Sequence, residues 1–139
     1  MPDSIFSGAD RRERVFKMLF SREYNTDNTI GDAFASFFDA EEGAPSEGYV
    51  RDTFFGASEF AAETDHLVES DSKNWKMSRM SPVTRSILHL AVYEIMKTDV
   101  PPRVAINEAV ELAKKFGEDG APSFVNGILN RIAKDSGKI

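Results

Sequence analysis

The chain has 139 residues, of which 41% are hydrophobic and 29% charged, as is typical of one globular domain and not of a disordered chain. No apolar run approaches the roughly 18 residues that a membrane-spanning helix needs, and the first residues lack the pattern of a secretory signal. The absence of cysteine excludes disulfides and thiolate metal ligands, and it fits a reducing cytoplasm.

Charge is distributed unevenly along the chain, whose net charge is −6. Residues 1–22 carry five Lys or Arg against three Asp or Glu, residues 23–71 carry one against thirteen, and residues 73–139 carry eleven against seven. If the two basic ends lie together, they form a positive face on an acidic protein, and such a face decides where a polyanion docks. The alternative is a solvated surface with uneven charge.

The hydrophobic pattern is helical almost throughout, with no strand-like alternation, and it predicts an all-α fold. Apolar residues recur at helical spacing over residues 10–24 and again over residues 29–43. Residues 44–72 are long for a single helix, and we expect Gly56 to break them into two.

The next predicted helix, over residues 82–98, has the clearest start. Ser81 is a good N-cap, and proline at position 82 is tolerated in a first turn because its missing N–H has no helical partner. Apolar residues cover most of the circumference of this helix, as expected for the buried centre of a bundle. Glu94, among those apolar neighbours, is expected to be a structural carboxylate paired within the bundle.

Residues 104–117 predict an amphipathic helix that ends at Gly117. Glu111 and Lys115 are spaced to pair across one of its turns. Lys114 and Lys115 place two cations at its end, just before the last predicted helix.

The last predicted helix, residues 122–134, has the sequence PSFVNGILNRIAK and two distinct sides. Its core stripe recurs at i, i+3, i+4 and i+7 and consists of Val125, Ile128, Leu129 and Ile132. Phe124, Gly127 and Arg131 fall together on a second side. Because glycine inside a helix costs roughly 1 kcal/mol relative to alanine, its presence needs a reason.

This second side has the residue types that bind single-stranded nucleic acid. Aromatic rings stack on unpaired bases, and Lys and Arg contact phosphates. Gly127 would let a ligand approach the backbone closely. The structural alternative makes Phe124 a core residue, Gly127 a close helix–helix contact and Asn126 a satisfied buried amide.

The phrases SPVTRSILHLAVYEI, INEAVELAK and FVNGIL, at their separation in this chain, resemble the NusB family of bacterial transcription antitermination factors. The resemblance is strong over residues 75–134, weaker over the N-terminal RRERVFKMLFSREY, and limited to helical character over residues 25–70. It implies an all-α domain of about seven helices, with an N-terminal helical half (residues 1–73) packed on a C-terminal bundle (residues 74–139).

The resemblance also implies a function without catalysis, cofactor or metal. Members of the family bind a single-stranded RNA element, boxA, together with a small-subunit ribosomal protein, NusE. They act in the RNA polymerase antitermination complex, notably on ribosomal RNA operons. The implied RNA-binding residues, together with the second side of the last helix, are Arg11, Arg12, Arg14, Lys114, Lys115, Gly120, Phe124, Asn126, Gly127 and Arg131. The implied contacts with the ribosomal protein are Phe20, Thr84 and Arg85.

Three departures from the family pattern bear on binding. Gly8, Ala9 and Asp10 stand where basic residues are common, which predicts fewer phosphate contacts and a shallower salt dependence. Thr84 replaces a usual acidic residue at the partner side, and His89 replaces a usual arginine.

Two hypotheses from other classes remain beside RNA binding. A homodimeric interaction scaffold would bury the RNA face. A di-iron bundle is suggested by Glu63 and His66, which have the Glu-x-x-His spacing, but His89 has no glutamate three residues before it, so the second motif is missing.

Overall fold

A computed structural model describes residues 8–24, 48–71 and 76–139. Within these ranges the chain is all-α, as predicted, and has no strand. The helices are α1 (Gly8–Tyr24), α2 (Gly48–Glu59), α3 (Ala61–Asp71), α4 (Pro82–Lys97), α5 (Pro102–Phe116) and α6 (Ala121–Asp135), with a 3-10 helix at Met77–Arg79 before α4. The helix predicted over residues 29–43 lies outside the described residues. No described helix is long and apolar enough to cross a bilayer.

α4 is the central helix, as its apolar circumference predicted. It contacts each of the other five described α-helices. Its fully buried side chains include Ile87, Leu88 and Val92. The predicted N-cap is confirmed, because the Ser81 hydroxyl accepts a hydrogen bond from the backbone N–H of Thr84 at 3.2 Å.

The break in residues 44–72 occurs four residues later than predicted, at Phe60, between α2 and α3. Helical hydrogen bonding continues across it, since the N–H of Phe60 donates to the carbonyl of Gly56 and that of Thr64 to the carbonyl of Phe60. Gly56 allows a close approach instead of a break, because a Cβ atom there would overlap the Tyr93 ring.

A buried charged network ties α1 and α2 to α4. The Arg12 guanidinium donates to one oxygen of the Glu94 carboxylate at 2.9 Å, and the Tyr49 hydroxyl donates to the other at 2.6 Å. The side chains of Arg12 and Glu94 are 12% and 1% exposed. Burial and the neighbouring carboxylate raise the pKa of Tyr49, so it stays a neutral donor. The prediction of Glu94 as a paired structural carboxylate is confirmed.

We expect Glu94→Ala to lower the free energy of unfolding by about 3–5 kcal/mol, because it leaves a largely buried guanidinium without its counter-charge. Glu111→Ala is the matched control, because it removes an exposed carboxylate paired with Lys114 and should change stability by no more than about 0.5 kcal/mol. Urea unfolding measures both. Equal losses in the two variants would contradict the role of the network.

Candidate nucleic-acid interface

The outer side of α6 is the centre of the candidate interface. The predicted core stripe is buried, and Gly127 and Arg131 on the outer side are exposed. A Cβ atom at Gly127 would meet nothing within 4 Å, so this glycine does not serve a close helix–helix contact. The helix therefore presents a bare stretch of backbone to solvent between larger side chains.

Phe124 lies at one flank of this outer side, partly buried against the core. It borders a cavity of about 320 Å³ that we call the Phe124 cleft. The cleft lies between the start of α4 and the α5–α6 connection and is lined by Arg79, Met80, Ser81, Thr84, Glu118, Asp119, Gly120, Ala121 and Phe124. Since two of these residues are acidic, the cleft is not uniformly positive.

Gly120 shapes the entry to α6. It is the N-cap residue, and its φ of 91° lies in the left-handed region that favours glycine. Its carbonyl accepts the N–H of Phe124 at 3.0 Å, which fixes the first turn beneath the aromatic ring. Gly120 thus shapes the backbone beside Phe124, which is compatible with the RNA-binding role that the family resemblance implies.

Asn126 lies on the flank opposite Phe124, at about 160° around the helix axis from it. It is exposed, so it is not the buried amide of the structural alternative. The side-chain N–H₂ of Asn130 donates to both its backbone carbonyl and its side-chain oxygen, at 2.9 and 3.1 Å. Asn130 was not among the predicted site residues, although its i, i+4 spacing from Asn126 was a usable signal.

The two lysines at the end of α5 reach the interface by different routes. Lys114 pairs with Glu111 at 3.1 Å, and both side chains are exposed. The predicted pair between Glu111 and Lys115 is wrong, because Lys115 instead contacts Glu13 of α1 at 2.7 Å. The four-residue connection between α5 and α6 brings both lysines to the same end of the helix pair as Phe124.

The ion pair between Glu13 and Lys115 also joins α1 to α5, so the two basic segments of the chain, residues 1–22 and 73–139, meet at this point. Glu13 accepts from Lys115 and from Lys17, and the rings of Phe16 and Phe116 lie beside it with centroids 5.1 Å apart. The contact is made through an acidic residue, which offsets part of the positive charge expected of the joined ends.

The three arginines of α1 do not share one environment. Arg11 and Arg14 are partly exposed. Arg12 donates from its Nε to the buried Glu94 carboxylate, and its side chain is only 12% exposed, so it offers little surface to a phosphate. Arg12 therefore differs from Arg11 and Arg14 in having a buried carboxylate partner.

The residues predicted to contact a partner protein lie where the end of α1 meets the start of α4. Arg85 donates to the Glu23 carboxylate at 2.9 Å and to the backbone carbonyls of Met77 and Met80. Phe20 is partly exposed one turn before Glu23. Thr84 is only 8% exposed and lies beside the Ser81 cap, so it offers little surface to a partner.

The residues behind the di-iron hypothesis are not assembled into a metal site. His89 contacts the Asp65 carboxylate at 2.8 Å, while His66 is exposed on α3. Among the described residues there is no group of three or more His, Cys, Asp or Glu side chains that could hold a metal ion.

Comparison with known proteins gives concordant results. The model of the NusB family matches residues 9–134. The transcription antitermination protein NusB of Geobacter sulfurreducens is 40% identical over 124 residues, which cover 88% of this chain and 90% of the relative. That of Anaeromyxobacter sp. (strain Fw109-5) is 39% identical over 128 residues, covering 88% of this chain and 86% of the relative.

Two solved structures share the fold. T. maritima NusB superposes with a TM-score of 0.82 at 34% identity and covers 94% of both chains. A crystal structure of the antitermination factors NusB and NusE in complex with double-stranded RNA contains a chain with a TM-score of 0.76 at 26% identity, covering 90% of this chain and 94% of that one.

The open surroundings of Gly127 predict that alanine there stabilises the protein. Gly127→Ala should raise the free energy of unfolding by up to about 1 kcal/mol, because alanine is the better helix former and its methyl group meets no neighbour. Gly56→Ala is the matched comparison and should gain less, because the Tyr93 ring must move away from its edge-to-face contact with Phe60. Thermal unfolding ranks the two, and a larger gain at Gly56 would contradict the assignment.

The Glu13 ion pairs predict a pH-dependent contribution to stability. Burial alone would raise the pKa of Glu13, but hydrogen bonds from Lys115 and Lys17 lower it below its ordinary value of 4.5. A lowered carboxylate pKa contributes stability above the unfolded-state value, and this is lost as the pH falls through the folded-state value. The stability difference between wild type and Glu13→Gln should therefore shrink below pH 4.5, as measured by urea unfolding across pH. A difference that is constant with pH would contradict this.

Proposed function

The chain belongs to the NusB family, and we propose on that premise that it is an RNA-binding transcription antitermination factor. It binds a boxA-like single-stranded RNA jointly with the small-subunit ribosomal protein NusE, within the RNA polymerase antitermination complex. Its setting is the transcription of ribosomal RNA operons in the cytoplasm. The protein acts by binding and contributes no catalytic step.

The proposal is supported chiefly by the arrangement of residues on the outer side of α6. A partly exposed ring at its first turn, an unobstructed stretch of backbone at Gly127 and an exposed cation at Arg131 follow one another along the helix. A base can stack on Phe124 while its phosphates pass the cations, because stacking needs a ring face and does not depend on base identity.

The cations at the end of α5 supply the phosphate contacts. An exposed ion pair such as Lys114 with Glu111 contributes little stability, so Lys114 can exchange its partner for a phosphate at small cost. Lys115, Arg11 and Arg14 complete this positive edge. We assign Arg12 to the fold, because its Nε donates to the buried Glu94 carboxylate and its side chain is only 12% exposed.

The partner protein docks where α1 ends and α4 begins. Phe20 offers a partly exposed ring there, and Arg85 is held in place by Glu23 and by two backbone carbonyls. Thr84, being nearly buried, takes part by positioning the start of α4. Joint recognition by two proteins compensates for the few basic residues at the start of α1.

We expect Phe124→Ala to weaken binding of a boxA-like RNA by about 1–3 kcal/mol, the contribution of one stacked base. Phe124→Leu is the matched control for packing, because it keeps an apolar side chain against the core but has no ring, and it should lose nearly as much affinity as alanine. Phe124→Tyr should stay close to wild type. Fluorescence titration in the presence of the ribosomal partner measures all three.

Two outcomes would contradict the proposal. Unchanged affinity in Phe124→Ala and Phe124→Leu would remove the stacking role. A stable dimer in light scattering that RNA does not alter would favour the homodimeric scaffold instead.

A further inference from the structure

A second concave surface lies on the flank of α6 that faces away from Phe124. We call it the α5–α6 groove, a cavity of about 390 Å³ between those two helices. Its polar lining consists of Arg103 and Asn107 from α5 and Asn126, Asn130 and Lys134 from α6. The buried Ile106 and the exposed Ile139, which follows α6, contribute apolar surface.

The chemistry of the groove suits a single-stranded polyanion. The protein carries a net charge of −6, yet no Asp or Glu side chain lines this groove, and two of its lining residues are cations. Within the described part of the chain, Arg103 and Lys134 form no ion pair. Three side-chain amides offer donors and acceptors to the edges of unpaired bases, while the cations can contact phosphates.

The amides are partly preorganised. Both hydrogen bonds between Asn126 and Asn130 use the N–H₂ group of Asn130. They leave the side-chain oxygen of Asn130 and the N–H₂ group of Asn126 for a ligand. A base edge that needs one donor and one acceptor finds both on adjacent turns of α6.

Gly127 lies between the Phe124 cleft and this groove. Phe124, Gly127 and Asn130 follow one another at i, i+3 and i+6, a diagonal across the outer side of α6 that advances about 9 Å along the axis. Any larger side chain at the middle position would stand as a ridge between the two concave surfaces. The exposed and unobstructed glycine leaves the crossing open.

We propose that single-stranded RNA crosses α6 at Gly127 and continues into the α5–α6 groove, which forms a second nucleotide-binding subsite made of Arg103, Asn107, Asn126, Asn130 and Lys134. This inference rests on the proposed function, because it extends the RNA path that begins at Phe124. It also explains why a helix interior holds a glycine that has no packing role among the described residues.

The test uses two RNAs, a short boxA-like core and the same core extended by several nucleotides at both ends, titrated against the full chain with its ribosomal partner. Wild type should bind the extended RNA more tightly. Gly127→Leu should lose more affinity for the extended RNA than for the short one, because its side chain blocks the crossing into the groove. Arg103→Ala combined with Lys134→Ala should make the salt dependence for the extended RNA shallower by about 1.4, the value for two phosphates on a single strand. Lys97→Ala, an exposed cation on α4, is the control for charge alone.

The outcomes separate the two proposals. Equal wild-type affinity for the short and extended RNAs, or an equal loss for both in Gly127→Leu, overturns the second subsite while the stacking role of Phe124 stands. Short-RNA binding that is insensitive to Phe124→Leu overturns the proposed function itself. Thermal unfolding of Gly127→Leu confirms that any loss is not a folding defect, and the charge variant tests the groove independently.

Discussion

The fold depends on how α4 accommodates one charge. This helix is apolar on nearly every side and touches all the other described helices, yet it carries Glu94 at 1% exposure. A buried carboxylate is tolerated only with a counter-charge and hydrogen bonds to its oxygens. Arg12 from α1 and Tyr49 from α2 provide these, so a single acidic side chain of α4 links it to both α1 and α2.

This constraint has a consequence for the surface. Turning Arg12 inward brings Glu13 and Lys17 of α1 toward the end of α5, where Glu13 meets Lys115 and the rings of Phe16 and Phe116 pack together. The packing of α1 thus places Arg12 in the buried ion pair with Glu94. It also partly neutralises Lys115 through its contact with Glu13. The positive edge beside α6 is therefore narrower than the count of basic residues suggests.

Sequence patterns predicted the features that depend on residues close together in the chain. The Ser81 N-cap of α4, the end of α5 at Gly117 and the apolar stripes of α5 and α6 were predictable because each depends on neighbours within a few residues, as with Ser81 and the N–H of Thr84. The errors involve long-range contacts. Glu111 was the predicted local partner of Lys115, but Glu13, 102 residues away, binds it instead. Likewise, Arg12 pairs with Glu94 across 82 residues. The sequence predicted a helix break at Gly56, whereas the side chain that explains this glycine, the Tyr93 ring, lies on another helix.

Gly127 has a cost in stability that no contact within the described fold explains. A glycine in a helix interior lowers stability by roughly 1 kcal/mol relative to alanine, and it usually serves a close contact or an unusual backbone conformation. Here the backbone is helical, and no described atom would meet an added Cβ within 4 Å. At Gly56 the Tyr93 ring accounts for the missing side chain, whereas at Gly127 nothing within the described fold does. A ligand that crosses the helix at this point supplies the missing reason, since only a bare backbone joins the Phe124 cleft to the amide-lined groove beyond it.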